Sequence, residues 1–148
     1  MPALVHTEIF SLPKQALYEI VIDIEKYPEF LPWCQGATIL EETSTYILAD
    51  LCVGVGSFKE TFRSHVSLTP YSCVTIHSED SSLHSIKHLI GQWFFEEEER
   101  GSTRIQFRIE FSFHSWFLNR MMERIFDHAS HLMIHAFKKR SHLYTLHA

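Results

Sequence analysis

Cysteine is scarce in this 148-residue chain. Cys34, Cys52 and Cys73 leave an odd one after any pairing and show no C-x-x-C spacing, which argues against a disulfide framework and points to a reducing compartment. No stretch approaches the roughly 18 uncharged apolar residues of a membrane-crossing helix. The opening Met1-Pro2-Ala3-Leu4-Val5-His6 lacks the basic region and apolar run of a secretion signal. The expectation is a cytoplasmic protein whose contact with the inner membrane is peripheral. Repeats, low-complexity tracts and Pro-, Gly- or Ser-rich linkers are missing too, so residues 1–148 are expected to form a single domain. Catalytic signatures are equally sparse, with no G-x-S-x-G, no H-E-x-x-H and no Gly-rich phosphate loop opening a helix. Gly54-Val55-Gly56 lies between apparent strands and has neither a third glycine nor a following helix. No cofactor, no metal and no enzymatic activity are therefore expected. A formal net charge of -5 and a pI near 6.1 argue against DNA and against general phosphate binding.

What the chain does have is rings. Its 12 phenylalanines and a 14% aromatic fraction build either an aromatic core or the wall of a pocket, and composition leaves both open. Charge is also uneven. Beyond residue 113, Arg120, Arg124, Lys138, Lys139 and Arg140 outnumber Glu123 and Asp127, five to two, and six of the 11 histidines lie there. That end could meet an anionic partner.

Residues 3 to 10 read as a strand, and Ser11-Leu12-Pro13 then starts a helix of about three turns. Its buried face is Ala16, Leu17, Ile20, Val21 and Ile24, and Tyr27-Pro28 and Leu31-Pro32 are expected to break it. From Gly36 to Phe113, turn signals recur at the spacing of short antiparallel strands. The clearest strand is 103 to 113, where Ile105, Phe107, Ile109, Phe111 and Phe113 alternate with Arg104, Gln106, Arg108, Glu110 and Ser112. Phe58, Phe62, Val66 and Leu68 repeat the alternation with Glu60 and Ser64 at the same parity. Those two groups need partners, so either that strand end is wet or they line something polar. After Phe113 the period becomes helical. A helix from Ser115 to Tyr144 is expected, with an apolar stripe of Leu118, Met122, Ile125, Ala129, Leu132, Met133 and Ala136. The fold class is thus α+β, a curved antiparallel sheet of six or seven strands wrapped around one long C-terminal helix.

His128, His131 and His135 share a sector of that helix. Three imidazoles so spaced could hold zinc, yet no acid or thiol is placed to join them, so the sector reads as a solvated or partner-facing flank. Tyr27-Pro28-Glu29-Phe30-Leu31-Pro32-Trp33-Cys34 is an aromatic turn able to plug one end of the core or to gate a cavity.

This turn after a short helix resembles that of the coenzyme Q-binding, START-like proteins and the bacterial ribosome association toxins, within the polyketide cyclase and dehydrase superfamily. Phe58-Lys59-Glu60-Thr61-Phe62, Lys87-x-Leu89-x-Gly91-x-Trp93 and Met133-x-x-Ala136-Phe137-x-x-Arg140-x-x-x-Tyr144 resemble further segments of that family, in order, over nearly the whole chain. The chain departs from it at His65, where the family commonly has Arg, and at His84-Ser85-Ile86, where it commonly has Gly-Pro-Phe.

The resemblance implies a helix-grip fold holding a hydrophobic small molecule, ubiquinone or a similar prenyl lipid, as a non-enzymatic carrier supporting respiratory electron transport. Its site would draw on Tyr27, Phe30, Leu31, Trp33, Lys59, Phe62, Trp93, Phe107, Phe111, Met122, Ile125 and Met133. The alternative is a protein that docks on a ribosomal subunit and inhibits subunit association, using Arg120, Arg124, His128, His131, Lys138 and Lys139. A weaker alternative is a polyketide cyclase-like enzyme.

Overall fold

The structure, a computed structural model, describes residues 3–31, 33–55, 58–78 and 86–145. Strand β1 (Ala3–Phe10) leads into helix α1 (Lys14–Ile22), a 3₁₀ turn over Ile24–Glu29, and strands β2 (Cys34–Glu42), β3 (Tyr46–Val55), β4 (Phe58–Thr69), β5 (Cys73–Ser78), β6 (Ile86–Glu97) and β7 (Thr103–Phe113). Helix α2 (Trp116–Thr145) ends the described chain. The strands form one antiparallel sheet in the order β1-β7-β6-β5-β4-β3-β2, and α2 packs across its curved inner face.

Alternation in β7 holds as read: Ile105, Phe107, Phe111 and Phe113 are buried, while Gln106 and Arg108 are exposed. Helix α1 stops earlier than its prolines require. The chain leaves helical geometry at Asp23 and tightens into the 3₁₀ turn, which carries Pro28 within it. The Tyr27 hydroxyl explains this, because it donates to the carbonyl of Val21 and clasps the turn against the end of α1. Burial pushes the Tyr27 phenol far above its ordinary range, so it remains a neutral donor.

At the start of α2, the Ser115 hydroxyl accepts from the Leu118 N–H at 3.3 Å, a capping contact for an otherwise orphan donor. Asn119 then grips the end of β7 twice. Its Oδ1 accepts from the Phe113 N–H at 2.7 Å, and its Nδ2 donates to the Phe113 carbonyl at 3.0 Å. Asn119→Ala is expected to cost about 1–2 kcal/mol, since two half-buried backbone groups lose their partners. Urea unfolding of the variant checks this.

The apolar stripe of α2 is shifted from its expected phase. Leu132 is 44% exposed, and the buried positions in the C-terminal half are Ile134, Phe137 and Ser141. Leu118, Met133 and Ala136 are half-buried against the core, whereas the side chains of Met122, Ile125 and Ala129 lie outside those described. The cause of the rotation is Phe137, whose ring sits at the centre of the aromatic packing described below.

One ionic tie fastens α2 to the sheet edge. Lys138 donates to Glu8 of β1 at 2.7 Å, and His6 lies 3.3 Å from the same carboxylate. The Lys138 hydrogen bond, with a smaller contribution from His6, holds the Glu8 carboxyl below its usual range. A depressed carboxyl stabilises the fold above its unfolded pKa and stops doing so as pH falls through the folded value. Lys138→Met should therefore lower stability at pH 7 by less than about 1 kcal/mol, because the pair is partly solvated. Urea midpoints should show this difference shrinking below about pH 4.5; persistence of the full difference in acid would contradict it.

Candidate functional site

The inner face of the sheet is fixed by what reaches α2. The Trp93 ring on β6 lies 4.8 Å from Phe137 of α2 and 4.7 Å from Phe107 of β7. Register carries that face outward, since Val74 stands opposite both Trp93 and Leu68. Ile76, Ser78, Val66, Ser64 and Phe62 follow at the two-residue period of a strand. Phe62, Val66, Val74, Trp93, Phe107 and Phe111 are all buried there.

Interlocked rings close one end. Phe137 stands 5.6 Å from Tyr27 and 5.0 Å from Phe30, and Tyr27 lies 6.0 Å from Phe30, all edge to face. Leu31 is buried beside them and Trp33 half-buried, while Arg140 lies over the Phe30 ring at 5.1 Å and reaches Glu29 at 3.1 Å. The aromatic turn thus acts as a plug against the C-terminal half of α2. Because the Tyr27 hydroxyl is engaged by Val21, it does not point a free donor into the interior.

Lys59 does not belong to this face. It alternates with Glu60 and Phe62 on β4 and is exposed on the outer side, so its ammonium cannot orient anything held against α2. Met133 is half-buried near the plug; Met122 and Ile125 are on α2 with side chains outside those described. What the sequence reading missed is Phe137 as the hub of the plug and Ser78 on the inner face. The parity Val74-Ile76-Ser78 in β5 was the available signal for the second.

Among the described residues the buried polar side chains are Ser64, Ser78, Thr103 and Ser141. Thr103 donates to the Leu12 carbonyl at 2.7 Å and Ser141 to the Lys138 carbonyl at 2.5 Å. Glu60 is half-buried at the β3–β4 hairpin end of the same face. All three cysteines are unpaired, and burial pushes the Cys34 thiol up.

The basic end is more committed than its composition implies. Lys138 is tied to Glu8, Arg140 to Glu29, and Arg120 lies over the Trp116 ring at 5.6 Å. His131 stacks edge to face on His6 at 4.9 Å. His128, His135 and Lys139 are exposed; the Arg124 side chain is outside those described. Among the described residues no three His, Cys, Asp or Glu side chains gather to hold a metal ion, and no helix is long and apolar enough to cross a membrane. At the opposite end of α2 from the plug, Trp116 and Phe117 are 74% and 67% exposed.

A curved seven-stranded antiparallel sheet gripping a long C-terminal helix defines the helix-grip, START-like class. Residues 10–138 match the polyketide cyclase / dehydrase and lipid transport family, and the chain belongs to that family. It is 29% identical over 133 residues to the ribosome association toxin RatA of Vibrio cholerae, covering 90% of each chain. To the mitochondrial coenzyme Q-binding protein COQ10 of Dictyostelium discoideum it is 31% identical over 137 residues, covering 90% of this chain and 66% of that one. The Zhui aromatase/cyclase from Streptomyces shares the fold with a TM-score of 0.85 at 18% identity, over 95% of this chain and 93% of that one.

Proposed function

We propose that this protein is a non-enzymatic carrier that holds ubiquinone or a related prenyl lipid between the inner face of the sheet and α2 and exchanges it at a membrane surface, supporting respiratory electron transport. The observation that carries the reading is the inner face itself, a wall of aromatic and aliphatic side chains closed at one end by the Tyr27–Phe30–Phe137–Trp93 rings. Such a wall matches a ligand that is mostly hydrocarbon. At about 25 cal/mol per Å², some 400 Å² of buried isoprenoid would contribute roughly 10 kcal/mol before the costs of association. The 31% identity to a coenzyme Q-binding protein supports the same ligand class.

Catalysis is not part of this reading. Among the described residues the buried Ser and Thr side chains offer only hydroxyls, which titrate far from neutral pH and make poor general acids or bases. Trp116 and Phe117, with the Arg120 guanidinium over the Trp116 ring, supply a surface suited to a lipid interface, where aromatic rings settle at headgroup level and cations meet anionic lipid. Organic extraction of the purified protein followed by mass spectrometry tests the proposal. A stoichiometric prenylquinone, or saturable uptake of one from vesicles, is the expected result; neither would sink it.

A second reading is favoured by the relatives named ribosome association toxins, among them RatA of Rickettsia prowazekii, 30% identical over 138 residues. Here Lys139, His128 and their neighbours would meet rRNA phosphates. Binding of that kind weakens steeply with salt. Co-sedimentation with ribosomal subunits at low salt and its loss at high salt would support this role, and a protein that stays at the top of the gradient at both would exclude it.

A further inference from the structure

We infer that Ser64 and Ser78 form a two-hydroxyl subsite that donates hydrogen bonds to an acceptor oxygen of the bound lipid, a carbonyl of the quinone or ester type. Ser64 of β4 and Ser78 of β5 stand directly opposite each other, so both hydroxyls project from the inner face at one point. They are 0% and 2% exposed. Neither Oγ has a hydrogen-bond partner, in contrast to the buried hydroxyls of Thr103 and Ser141.

Local backbone cannot relieve them. In an antiparallel ladder the strand carbonyls point along the sheet toward their neighbours, while these side chains stand out from it. The inner-face positions around the pair are apolar: Ala49 opposite Ser64 on β3, Phe62 and Val66 along β4, and Ile76 along β5. Serine is a poor choice for such a surface if packing is the only requirement, because alanine would fill nearly the same volume without an orphan hydroxyl. Two adjacent orphans on separate strands imply a shared acceptor. The pair lies four residues along β5 from the Val74–Trp93 row, roughly 13 Å at the rise of a strand. A lipid whose tail lies toward the aromatic plug would thus bring its oxygenated end to the serines. Both hydroxyls are buried in this structure, so an entering lipid must displace the side-chain atoms that cover them before its oxygen can accept.

This subsite rests on the carrier reading, and the test separates the two. Equilibrium uptake of labelled short-chain ubiquinone and of a labelled isoprenoid hydrocarbon of matching length is measured from cyclodextrin. The native protein is compared with Ser64→Ala, Ser78→Ala and the double variant. Loss of both hydrogen bonds should weaken quinone binding roughly ten- to hundredfold. Hydrocarbon binding should be unchanged. Removing orphan hydroxyls should also raise the melting temperature of the ligand-free double variant by roughly 2–4 °C. Native protein that takes up both ligands, with no selective loss of quinone in the double variant, overturns the subsite and leaves the carrier standing. A lower melting temperature in the double variant likewise overturns it, since the hydroxyls would then be structurally satisfied. Native protein that takes up neither ligand overturns both.

Discussion

Phe137→Ala is expected to destabilise the protein by about 3–5 kcal/mol, the range for truncating a buried aromatic ring. The ring is 3% exposed and stands within 4.8 to 5.6 Å of Tyr27, Phe30 and Trp93, centroid to centroid. Truncation leaves a cavity at the one place where α2, the aromatic turn and β6 meet, and three edge-to-face pairs go with it. Against a typical total of about 5–15 kcal/mol, that is a large share of the fold's stability. A fall in melting temperature of about 10 °C follows at the usual scaling for this size. Phe94 serves as the control, because it is 37% exposed on the outer face; Phe94→Ala should cost less than about 1 kcal/mol. Equal effects of the two would mean that the plug does not organise the molecule.

The second large effect is expected at the other end of α2. Replacing both Trp116 and Phe117 with serine should weaken association with vesicles of phosphatidylcholine and phosphatidylglycerol at least about a hundredfold, at roughly 1.5–3 kcal/mol for each ring withdrawn from lipid. Stability should hardly move, since both rings already face water in the free protein. Arg120→Gln should reduce only the dependence on the anionic lipid. Vesicle sedimentation reads both variants, and unchanged association of the double variant would remove this end of the helix from any membrane role.

Much of the architecture could be read in advance because alternation and helical period are local properties. β7 shows this best, with five apolar residues at strict parity between polar ones, and the change of period after Phe113 locates α2 to within a residue of its observed ends. What could not be read depends on contacts between distant elements. The stripe of α2 in its C-terminal half follows Phe137, and nothing in the helix's own sequence says that Tyr27, Phe30 and Trp93 will converge on that ring. Lys59 joined the candidate site through its motif, although its parity against Phe62 already placed it on the outer face. Ser64 drew notice as a hydroxyl on an apolar face. Its pairing with Ser78 required the β4–β5 register, which the weak alternation of β4 and the short β5 do not specify. The end of α1 was misplaced for a similar reason: the Tyr27 hydroxyl, rather than proline alone, sets the turn.

The ligand site between sheet and helix is tested most directly by the fluorescence of Trp93. The three tryptophans are Trp33, Trp93 and Trp116, and only Trp93 is fully buried on the inner face. In the Trp33→Phe, Trp116→Phe variant, titration with short-chain ubiquinone, itself a quencher of indole emission, should quench Trp93 saturably at about one equivalent. A linear, unsaturable decline no steeper than that of free tryptophan would show that the quinone never enters the space beside Trp93, and would contradict the carrier account.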